Sequence, residues 1–590
     1  MDRLAWGTDT PDSRRKALME ARRIRITGVV QGVGFRPHVW RQAQRHSVAG
    51  WVRNTSYGVD VLVEGAPDSV ESFLRALRAE APRRARIEEV DVAVCDPEGH
   101  RDFRILESQP EAGVHLPVSP DIAMCADCAR EMRDPADRRF RYPFINCTNC
   151  GPRFTIVRDI PYDRPNTTMD SFVLCADCRR EYEDPSDRRF HAQPVACPAC
   201  GPQIWLEEDA RWVAAGEEAL QKLRRRLRDG MVAAVKGLGG FHLACDAASD
   251  AAVERLRQRK HRAAKPFALM AAGTAAVERY AVVTDAERRL LEGPERPVVL
   301  LERKDGALIS QAVAPGRREL GFMLPYTPLH HLLLEREPGF PDVLVMTSGN
   351  LSEEPIAYRD DDARRRLAGI ADVFLMHDRP IHMRCDDSVA AVAGDQPYFF
   401  RRSRGYAPLP LSLPLNAGHG LAVGGEMKNC FCLGRDRSAL LSHYIGTLDE
   451  YETYMAFEEG VAHFQKLFRV APRYIAHDLH PDYQSTRYAQ RRAEAEGVPL
   501  IAVQHHHAHA AACMAENDLD GSHPVIGVGF DGTGYGTDGA IWGGEFLVAD
   551  YAGFRRAHHL AYCPLPGGDA AARNPYRIAL SWLRRAGVDW

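Results

Sequence analysis

Eight of the fifteen cysteines in this 590-residue chain form four Cys-x-x-Cys pairs within one stretch. The pairs are Cys125/Cys128, Cys147/Cys150, Cys175/Cys178 and Cys197/Cys200. Each pair presents two sulfurs to one ion, and two pairs complete the four-thiolate tetrahedron that Zn²⁺ accepts. The pattern therefore predicts two structural zinc sites. Because four sulfurs leave no open position for a substrate, we expect these ions to hold the fold and not to catalyse.

The sequence around the cysteines is duplicated. CADCAREMRDPADRRFRYPFINCTNCGP returns fifty residues later as CADCRREYEDPSDRRFHAQPVACPACGP. The spacing leaves two arrangements open, since the pairs either join within each repeat or interlock across the repeats. Disulfide bonding is the alternative to zinc. A long, charged chain without a secretory signal is typical of the cytosol, however, where thiols stay reduced.

Composition limits the function classes. Lys and Arg number 76 against 80 acidic residues, a net charge of −4, so no global basic field favours nucleic acid. No run of about eighteen apolar residues occurs, so we expect no membrane span. The length predicts several domains. Residues 1–20 lack an apolar targeting core and are predicted to be an N-terminal tail.

The first predicted domain, residues 21–108, shows strand and helix patterns in the order β-α-β-β-α-β, a ferredoxin-like arrangement. Gly32 and Gly34 lie in the turn before the first helix, where backbone N–H groups favour an oxyanion. Arg36 adds a guanidinium fork. The segment VVQGVGFRP, followed by Asn54 in GWVRNTSYG, resembles the acylphosphatase family. That resemblance implies that Arg36 binds an acyl phosphate and Asn54 orients the attacking water, with no metal and no covalent intermediate.

Residues 205–410, after the zinc module at 109–204, are predicted to form an α/β domain. Its basic and polar motifs are KGLGGFH, KHRAAKP, TSGN, MRCDDSV and RRSRGYAP. Together they resemble the YrdC/Sua5 family, whose basic cavity takes ATP with Mg²⁺ and a carbamate-type carboxylate. The resemblance implies an acyl-adenylate product and release of pyrophosphate. It places the following residues in the cavity: Lys236, Lys260, Arg262, Lys265, Thr347, Ser348, Asn350, Arg384 and Arg404. The P-loop pattern GxxxxGK[ST] is absent from the sequence, which disfavours a P-loop enzyme.

The last predicted domain, residues 411–590, follows the proline-rich linker APLPLSLPLN. Two glycine-turn hairpin patterns flank the segment QHHHAHA, in which His505 and His509 are i and i+4 on one helix face. Asp531 in GFDGTGYG is expected to complete a metal site. The segment resembles the Kae1/TsaD family and the O-carbamoyltransferases, which implies a divalent metal beside a nucleotide. Because related domains continue into a second lobe, we expect this last site to be incomplete here.

The order of these units resembles the HypF family of carbamoyltransferases, a multidomain α+β and α/β architecture. The resemblance implies a cytoplasmic enzyme that hydrolyses carbamoyl phosphate, adenylates carbamate with ATP and passes the carbamoyl group to the C-terminal cysteine of HypE. Two alternatives stay open from the residues. One is a tRNA threonylcarbamoyladenosine-type modification enzyme, and the other is a non-catalytic, zinc-dependent interaction module.

Overall fold

A computed structural model describes residues 19–55, 58–82, 85–107, 118–352 and 354–588 of the chain. The predicted N-terminal tail therefore falls almost entirely outside the described residues. The chain divides into two compact units. The first comprises Met1–Leu409, Ser442–Tyr444 and Ala462–Arg469, and the second comprises Pro410–Leu441, Ile445–Val461 and Val470–Trp590. Within the described ranges, no helix has the length and apolar character needed to cross a membrane.

The N-terminal part of the first unit is a five-stranded sheet with two helices. Its strands are β1 (Glu20–Val29), β2 (Ala49–Asn54), β3 (Val59–Gly65), β4 (Arg86–Cys95) and β5 (Phe103–Ile105), in the sheet order β4-β1-β3-β2-β5. Helices α1 (Phe35–Arg45) and α2 (Pro67–Ala79) connect β1 to β2 and β3 to β4. Both helices are amphipathic and bury apolar residues such as Val39 and Phe73 against the sheet. The β-α-β-β-α-β order predicted from the sequence is confirmed, and it is followed by one further short strand, β5.

The zinc module is built from two short helices and the loops around them. Helices α3 (Ala126–Arg133) and α4 (Ala176–Glu183) each begin immediately after the first cysteine of a repeat. Buried apolar residues such as Met132, Phe144 and Ile156 pack around the first cysteine cluster, so the apolar core and the cysteines together hold these loops.

An eleven-stranded mixed sheet dominates the rest of the first unit, in the order β16-β15-β11-β12-β10-β13-β9-β8-β14-β6-β7. The strands are β6 (Ile204–Glu208), β7 (Arg211–Ala215), β8 (Ala233–Lys236), β9 (Phe241–Asp246), β10 (Ala268–Ala271), β11 (Val298–Glu302), β12 (Glu319–Met323), β13 (Val343–Ser348), β14 (Val373–His377), β15 (Val389–Ala393) and β16 (Gln396–Arg401). The helices are α5 (Gly216–Arg228), α6 (Asp250–Arg259), α7 (Thr274–Val277), α8 (Asp285–Glu292), α9 (Pro328–Leu333) and α10 (Asp360–Leu367). The central strands are apolar and almost fully buried, as expected for a sheet covered on both faces.

The second unit contains a six-stranded and a three-stranded sheet. The larger sheet has the order β17-β20-β19-β18-β21-β22 and is formed by β17 (Leu411–Ser412), β18 (Gly420–Ala422), β19 (Cys432–Arg435), β20 (Ser438–Leu441), β21 (Ile475–Asp478) and β22 (Leu500–Val503). The smaller sheet is formed by β23 (Val525–Tyr535), β24 (Ile541–Ala549) and β25 (Phe554–His559). The helices are α11 (Tyr451–Phe468), whose last turns cluster with the first unit, α12 (Gln484–Glu496), α13 (His505–Glu516), α14 (Asp569–Arg573) and α15 (Pro575–Arg585).

Candidate active sites and zinc clusters

The eight paired cysteines form two four-sulfur clusters, one in each repeat: Cys125, Cys128, Cys147 and Cys150, and Cys175, Cys178, Cys197 and Cys200. Neighbouring sulfurs within a cluster lie 3.5 to 3.9 Å apart. A disulfide needs about 2.05 Å, whereas a zinc tetrahedron with Zn–S bonds of about 2.3 Å has edges of about 3.8 Å. The clusters therefore fit two zinc ions. Of the two pairings that the spacing left open, the structure contains the one within each repeat.

Arginines tie the two clusters to each other. Arg138 and Arg139 of the first repeat form ion pairs with Glu181 of the second, while Arg188 and Arg189 of the second form ion pairs with Glu131 of the first. These charges are partly or fully buried, and such hydrogen-bonded pairs hold geometry more firmly than exposed ones. Each repeat thus supports the short helix, α3 or α4, that belongs to the cysteine cluster of the other repeat.

Arg36 and Asn54, the predicted catalytic pair of the first domain, line one pocket. Gly32 and Gly34 have φ angles of +69° and +77°, which let the loop turn tightly into the N-terminus of α1. The Gln31 amide donates to the Thr55 carbonyl at 3.0 Å and so ties this loop to the strand end that carries Asn54. Asn54 is 2% exposed, and its Oδ1 has no hydrogen-bond partner among the described residues. An unpaired buried amide oxygen suits a water or ligand in this pocket.

Arg36 is 7% exposed, and its Nη2 lies 3.7 Å from a carboxylate oxygen of Asp163. Burial lowers the pKa of the guanidinium, and the Asp163 carboxylate opposes that shift. The guanidinium stays protonated at neutral pH because its ordinary pKa is above 12. A buried cation at a helix N-terminus favours a phosphate dianion. Asp163 comes from the zinc module, more than a hundred residues away in the chain, so the sequence motif could not reveal it.

Lys260, Ser348 and Asn350 of the predicted nucleotide cavity are in direct contact. The Lys260 ammonium donates to the Ser348 carbonyl at 2.7 Å and to the Asn350 carbonyl and side-chain oxygen. The Ser348 hydroxyl lies 2.9 Å from Asn350 Oδ1. Burial holds the pKa of Lys260 well below its ordinary value. Lys260 thus fixes the shape of the Ser-Gly-Asn turn at the end of β13.

The glycine-rich loop after Lys236 packs between the other predicted motifs. A Cβ atom on Gly239 would lie 2.4 Å from the Cys385 carbonyl, and one on Gly240 would lie 2.6 Å from the Ile356 side chain. The approach to the Cys385 backbone permits only glycine at position 239, whereas a side chain at position 240 would require Ile356 to move. Lys236 itself donates to the His377 carbonyl at 2.8 Å and pairs with Asp360 at 2.5 Å. The structure therefore brings the loop beside the segment of Arg384 and close to the Ser-Gly-Asn turn.

The remaining predicted residues of the cavity differ in their surroundings. Arg384 lies over the Tyr358 ring at 4.7 Å, Thr347 is buried in β13, and Arg262 and Lys265 lie on an exposed loop. Arg404 is fully engaged inside the protein, because it donates to Asp387 at 2.6 Å and to the carbonyls of Glu295 and Arg296 at 2.8 Å. Contact of Arg404 with a nucleotide stays a prediction.

A buried dyad that sequence reasoning missed adjoins Arg404. His242 Nε2 lies 2.9 Å from Asp387, which also accepts from Arg404. Burial, which would raise the pKa of Asp387, is outweighed by Arg404 and His242, so the pKa of this carboxyl is below its ordinary value. The signal was available in the motifs themselves, since Asp387 belongs to MRCDDSV and His242 to KGLGGFH.

His505, His509 and Asp531 form a cluster in the second unit, as predicted from the sequence. The two histidines lie one turn apart on α13 with their Nε2 atoms 3.2 Å apart. Asp531 Oδ2 lies 2.7 Å from His505 Nε2 and 3.5 Å from His509 Nε2. Three mixed nitrogen and oxygen ligands at this spacing, half exposed, suit a divalent ion that keeps open positions.

Asp478 does not belong to this cluster but supports it through His505. This residue was not identified from the sequence. Its Oδ2 lies 2.6 Å from His505 Nδ1, which fixes the ring orientation and leaves Nε2 facing Asp531. Strands β21 and β22 are parallel neighbours, so the carboxyl end of β21 places Asp478 beside the start of α13. Carboxylate–histidine support of this kind is common in metal sites. His506 and His507 point elsewhere, as expected, with His507 Nε2 2.7 Å from the Asp550 carbonyl.

Family models match the whole sequence of units in order. A model described as Acylphosphatase matches residues 22–105, the HypF finger matches 124–157 and 174–207, and the model described as Telomere recombination (Sua5, YciO and YrdC) matches 225–403. The HypF Kae1-like domain matches 416–516, and the second subdomain of the carbamoyltransferase Kae1-like domain matches 527–590. The fold and its sites define an ATP-dependent carbamoyltransferase.

Individual relatives make the assignment specific. The chain is 48% identical over 582 residues to carbamoyltransferase HypF2 of Cupriavidus necator, covering 96% of this chain and 72% of that protein. It is 49% identical to carbamoyltransferase HypF of Rhodobacter capsulatus, of which it covers 76%. The crystal structure of a full-length HypF in the phosphate- and nucleotide-bound form superposes with a TM-score of 0.91 at 46% identity, covering 96% of this chain and 73% of that one. The chain belongs to the HypF carbamoyltransferase family. The tRNA-modification alternative is not favoured.

Proposed function

We propose that this carbamoyltransferase acts in the maturation of NiFe hydrogenases, in the cytoplasm, and that its reaction runs in three steps at the three sites described above. In the first step Arg36 binds the phosphate of carbamoyl phosphate and Asn54 orients a water molecule. The water oxygen attacks the phosphorus, and the bond between phosphorus and the acyl oxygen breaks, which gives carbamate, phosphate and a proton. The observation that supports this step is the pocket that Arg36 and Asn54 line together, in which the buried amide oxygen of Asn54 has no hydrogen-bond partner among the described residues.

We assign the second step to the region of Lys236, Lys260, Ser348 and Asn350. ATP with Mg²⁺ binds there, and carbamate oxygen attacks the α-phosphorus to give carbamoyl-adenylate and pyrophosphate. Cations near the triphosphate offset its charge and orient the α-phosphate for in-line attack. Arg262 and Lys265 lie on the loop that follows Lys260, where Arg262 donates to the carbonyls of Lys265 and Pro266. We assign both cations to the outer phosphates of ATP.

The third step transfers the carbamoyl group to a thiolate, with AMP as the leaving group. His505, His509 and Asp531 would hold a divalent metal, and such an ion would act as a Lewis acid on the phosphate oxygens of the adenylate. Asp478 keeps His505 in the tautomer that presents Nε2. We propose the C-terminal cysteine of HypE as the acceptor.

The experiment follows AMP and pyrophosphate release from ATP in the presence of carbamoyl phosphate. The purified chain should release both products, and Arg36→Ala should lower the carbamoyl-phosphate-dependent rate by about 100-fold or more, as expected for loss of one charged oxyanion ligand. Arg41→Ala is the matched control, because Arg41 is an exposed residue of the same helix. Equal rates for Arg36→Ala and the intact chain would remove the first step from this scheme.

A further inference from the structure

The pocket of Arg36 and Asn54 is lined partly by side chains of the zinc module. Besides the loop of the first domain, its lining includes Tyr162, Phe190 and His191 from the zinc module, which we call the roof. All three are largely buried, and the space left for water-sized groups is about 30 Å³. The first domain alone therefore does not define the substrate pocket.

The roof is held firmly in place. His191 is stacked on the Tyr182 ring at 5.0 Å and 14°, and it lies 4.3 Å from the Phe190 ring. The Tyr182 hydroxyl donates to Gln193 Oε1 at 2.8 Å, and the Tyr162 hydroxyl donates to the Pro152 carbonyl at 3.2 Å. Side chains fixed by stacking and hydrogen bonds resist displacement, so a bulky ligand could displace them only at a substantial cost in free energy.

The zinc module also lies against the turn of the first domain that contains Gly32 and Gly34. A Cβ atom on Gly34 would lie 3.4 Å from Thr148 Oγ1, and Thr148 stands between two ligands of the first cluster. Arg153, which is almost completely buried, donates from Nε to the Gly32 carbonyl at 3.0 Å. Residues in and next to the first cysteine cluster therefore help to fix the position of the Gly32–Gly34 turn relative to the roof.

A comparison of the two repeats shows that the turn is common to both, whereas the roof side chains belong to the second repeat alone. Positions 141 and 191 are equivalent, with φ angles of +56° and +50°, and each backbone N–H donates to the equivalent carbonyl, of Met132 or Tyr182. In the first repeat, however, Arg141 pairs with Glu217 and Glu335, and the preceding Phe140 is 41% exposed. In the second repeat, Phe190 is 3% exposed. The same turn thus serves two purposes, and the aromatic side chains of the second repeat are not required by the turn itself.

The roof is also uncharged. Burial, and then the Arg36 guanidinium, lower the pKa of His191 to about 3, so its ring is neutral at pH 7. A neutral aromatic surface does not compete with phosphate for Arg36. It does set a steric limit on the acyl group.

We propose that the roof makes the first site selective for the smallest acyl phosphates, with His191 as a specificity-determining residue. This inference rests on the proposed function of Arg36 and Asn54. Carbamoyl phosphate carries a planar group of few atoms, whereas an aromatic acyl phosphate needs the volume that the roof fills. Differences in pocket contacts of this kind are worth about 10- to 200-fold in kcat/KM.

The experiment measures kcat/KM of the full chain for carbamoyl, acetyl, butyryl and benzoyl phosphate. The intact chain should lose activity steadily as the acyl group grows. His191→Gly should shift the benzoyl-to-carbamoyl ratio toward benzoyl phosphate by at least tenfold, and glycine accepts the positive φ at this position without strain. Arg141→Gly makes the same change at the equivalent turn of the other repeat and should retain the ratio of the intact chain.

The outcomes distinguish this inference from the proposed function. If the intact chain hydrolyses none of the acyl phosphates, the assignment of Arg36 and Asn54 fails and the roof proposal with it. If it hydrolyses benzoyl phosphate as well as carbamoyl phosphate, the roof proposal alone is overturned, and this measurement needs no variant. An unchanged ratio in folded His191→Gly overturns it as well. A general loss of stability lowers all rates together and leaves the ratio unchanged.

Discussion

Arg188 in the second zinc repeat donates from Nη2 to the sulfur of Cys128 in the first repeat, at 3.0 Å. The reverse contact exists too, since Arg138 Nη2 donates to Cys178 Sγ at 3.3 Å. The metal clusters are thus separate, but their supporting arginines are exchanged. Positive charge next to thiolates stabilises the deprotonated form that binds metal. The duplication therefore produced a pair of mutually dependent sites, not two independent ones.

The exchange predicts that Arg188→Ala weakens the zinc site of the repeat to which it does not belong. Loss of one supporting contact commonly costs about 10- to 100-fold in metal affinity. We expect a chelator to remove the zinc ion of the first cluster faster than in the intact chain. The four thiols of that cluster should then be alkylated first. Peptide mass analysis after brief alkylation identifies the cluster that opened.

The matched control is Arg130→Ala, because Arg130 is an exposed arginine that pairs with Asp127 on its own helix. This variant should release zinc as the intact chain does. Labelling of Arg188→Ala that began in the cluster of Cys175 to Cys200 would contradict the exchange. Arg138→Ala should give the mirror-image result, with the second cluster opening first.

Local patterns were sufficient to predict most elements and the residues that lie close together in the sequence. His505 and His509 are one helical turn apart, so their common face follows from the helix period alone. Asp163 beside Arg36 and Asp478 beside His505 could not be predicted in this way, because each comes from a distant segment that only the tertiary fold brings near. The cluster pairing is a similar case, since equal Cys-x-x-Cys spacing fits both arrangements.

Asp478→Asn should weaken metal binding at the cluster of His505, His509 and Asp531. The Asp478 carboxylate accepts from His505 Nδ1 and raises the basicity of the ligand nitrogen, and an amide does this poorly. We expect about 10- to 100-fold weaker binding of Mn²⁺. Free Mn²⁺ is measured by electron paramagnetic resonance on zinc-loaded protein. Asp482→Asn is the control, because Asp482 is exposed in the same loop and pairs with Arg487. Equal affinities for the two variants would exclude the supporting role.

Buried neutral histidines should make the first unit sensitive to mild acid. Burial, and then Arg384, lower the pKa of His443 to about 3, while burial, Arg296 and Arg133 do the same for His331. The unfolded chain binds these protons near pH 6.5, and the folded chain does not. These two histidines therefore do not reduce the free energy of unfolding above pH 6.5. They reduce it progressively as the pH falls from 6.5 toward 3. At pH 5 each histidine should lower the free energy of unfolding by about 2 kcal/mol.

The measurement compares unfolding of the intact chain and His443→Phe between pH 7 and pH 5. Neither ring nitrogen of His443 has a hydrogen-bond partner among the described residues, so phenylalanine should replace the ring without loss of a bond. We expect the variant to lose less stability on acidification than the intact chain. Zinc loss affects both proteins alike, so the difference between them isolates the histidine.

Lys260→Met should separate the first two steps of the reaction. The Lys260 ammonium holds the Ser348 and Asn350 carbonyls, so its removal should loosen the Ser-Gly-Asn turn and leave buried oxygens unpaired. We expect ATP-dependent release of AMP and pyrophosphate to fall by about 100-fold, while phosphate release from carbamoyl phosphate continues at the rate of the intact chain. Both products are measured in the same reaction. Lys304→Met is the control, because its ammonium donates to the Glu278 carbonyl in a different part of the same sheet domain. Loss of both activities in Lys260→Met would show that the two sites are coupled through the fold, whereas retention of both would remove Lys260 from the adenylating cavity.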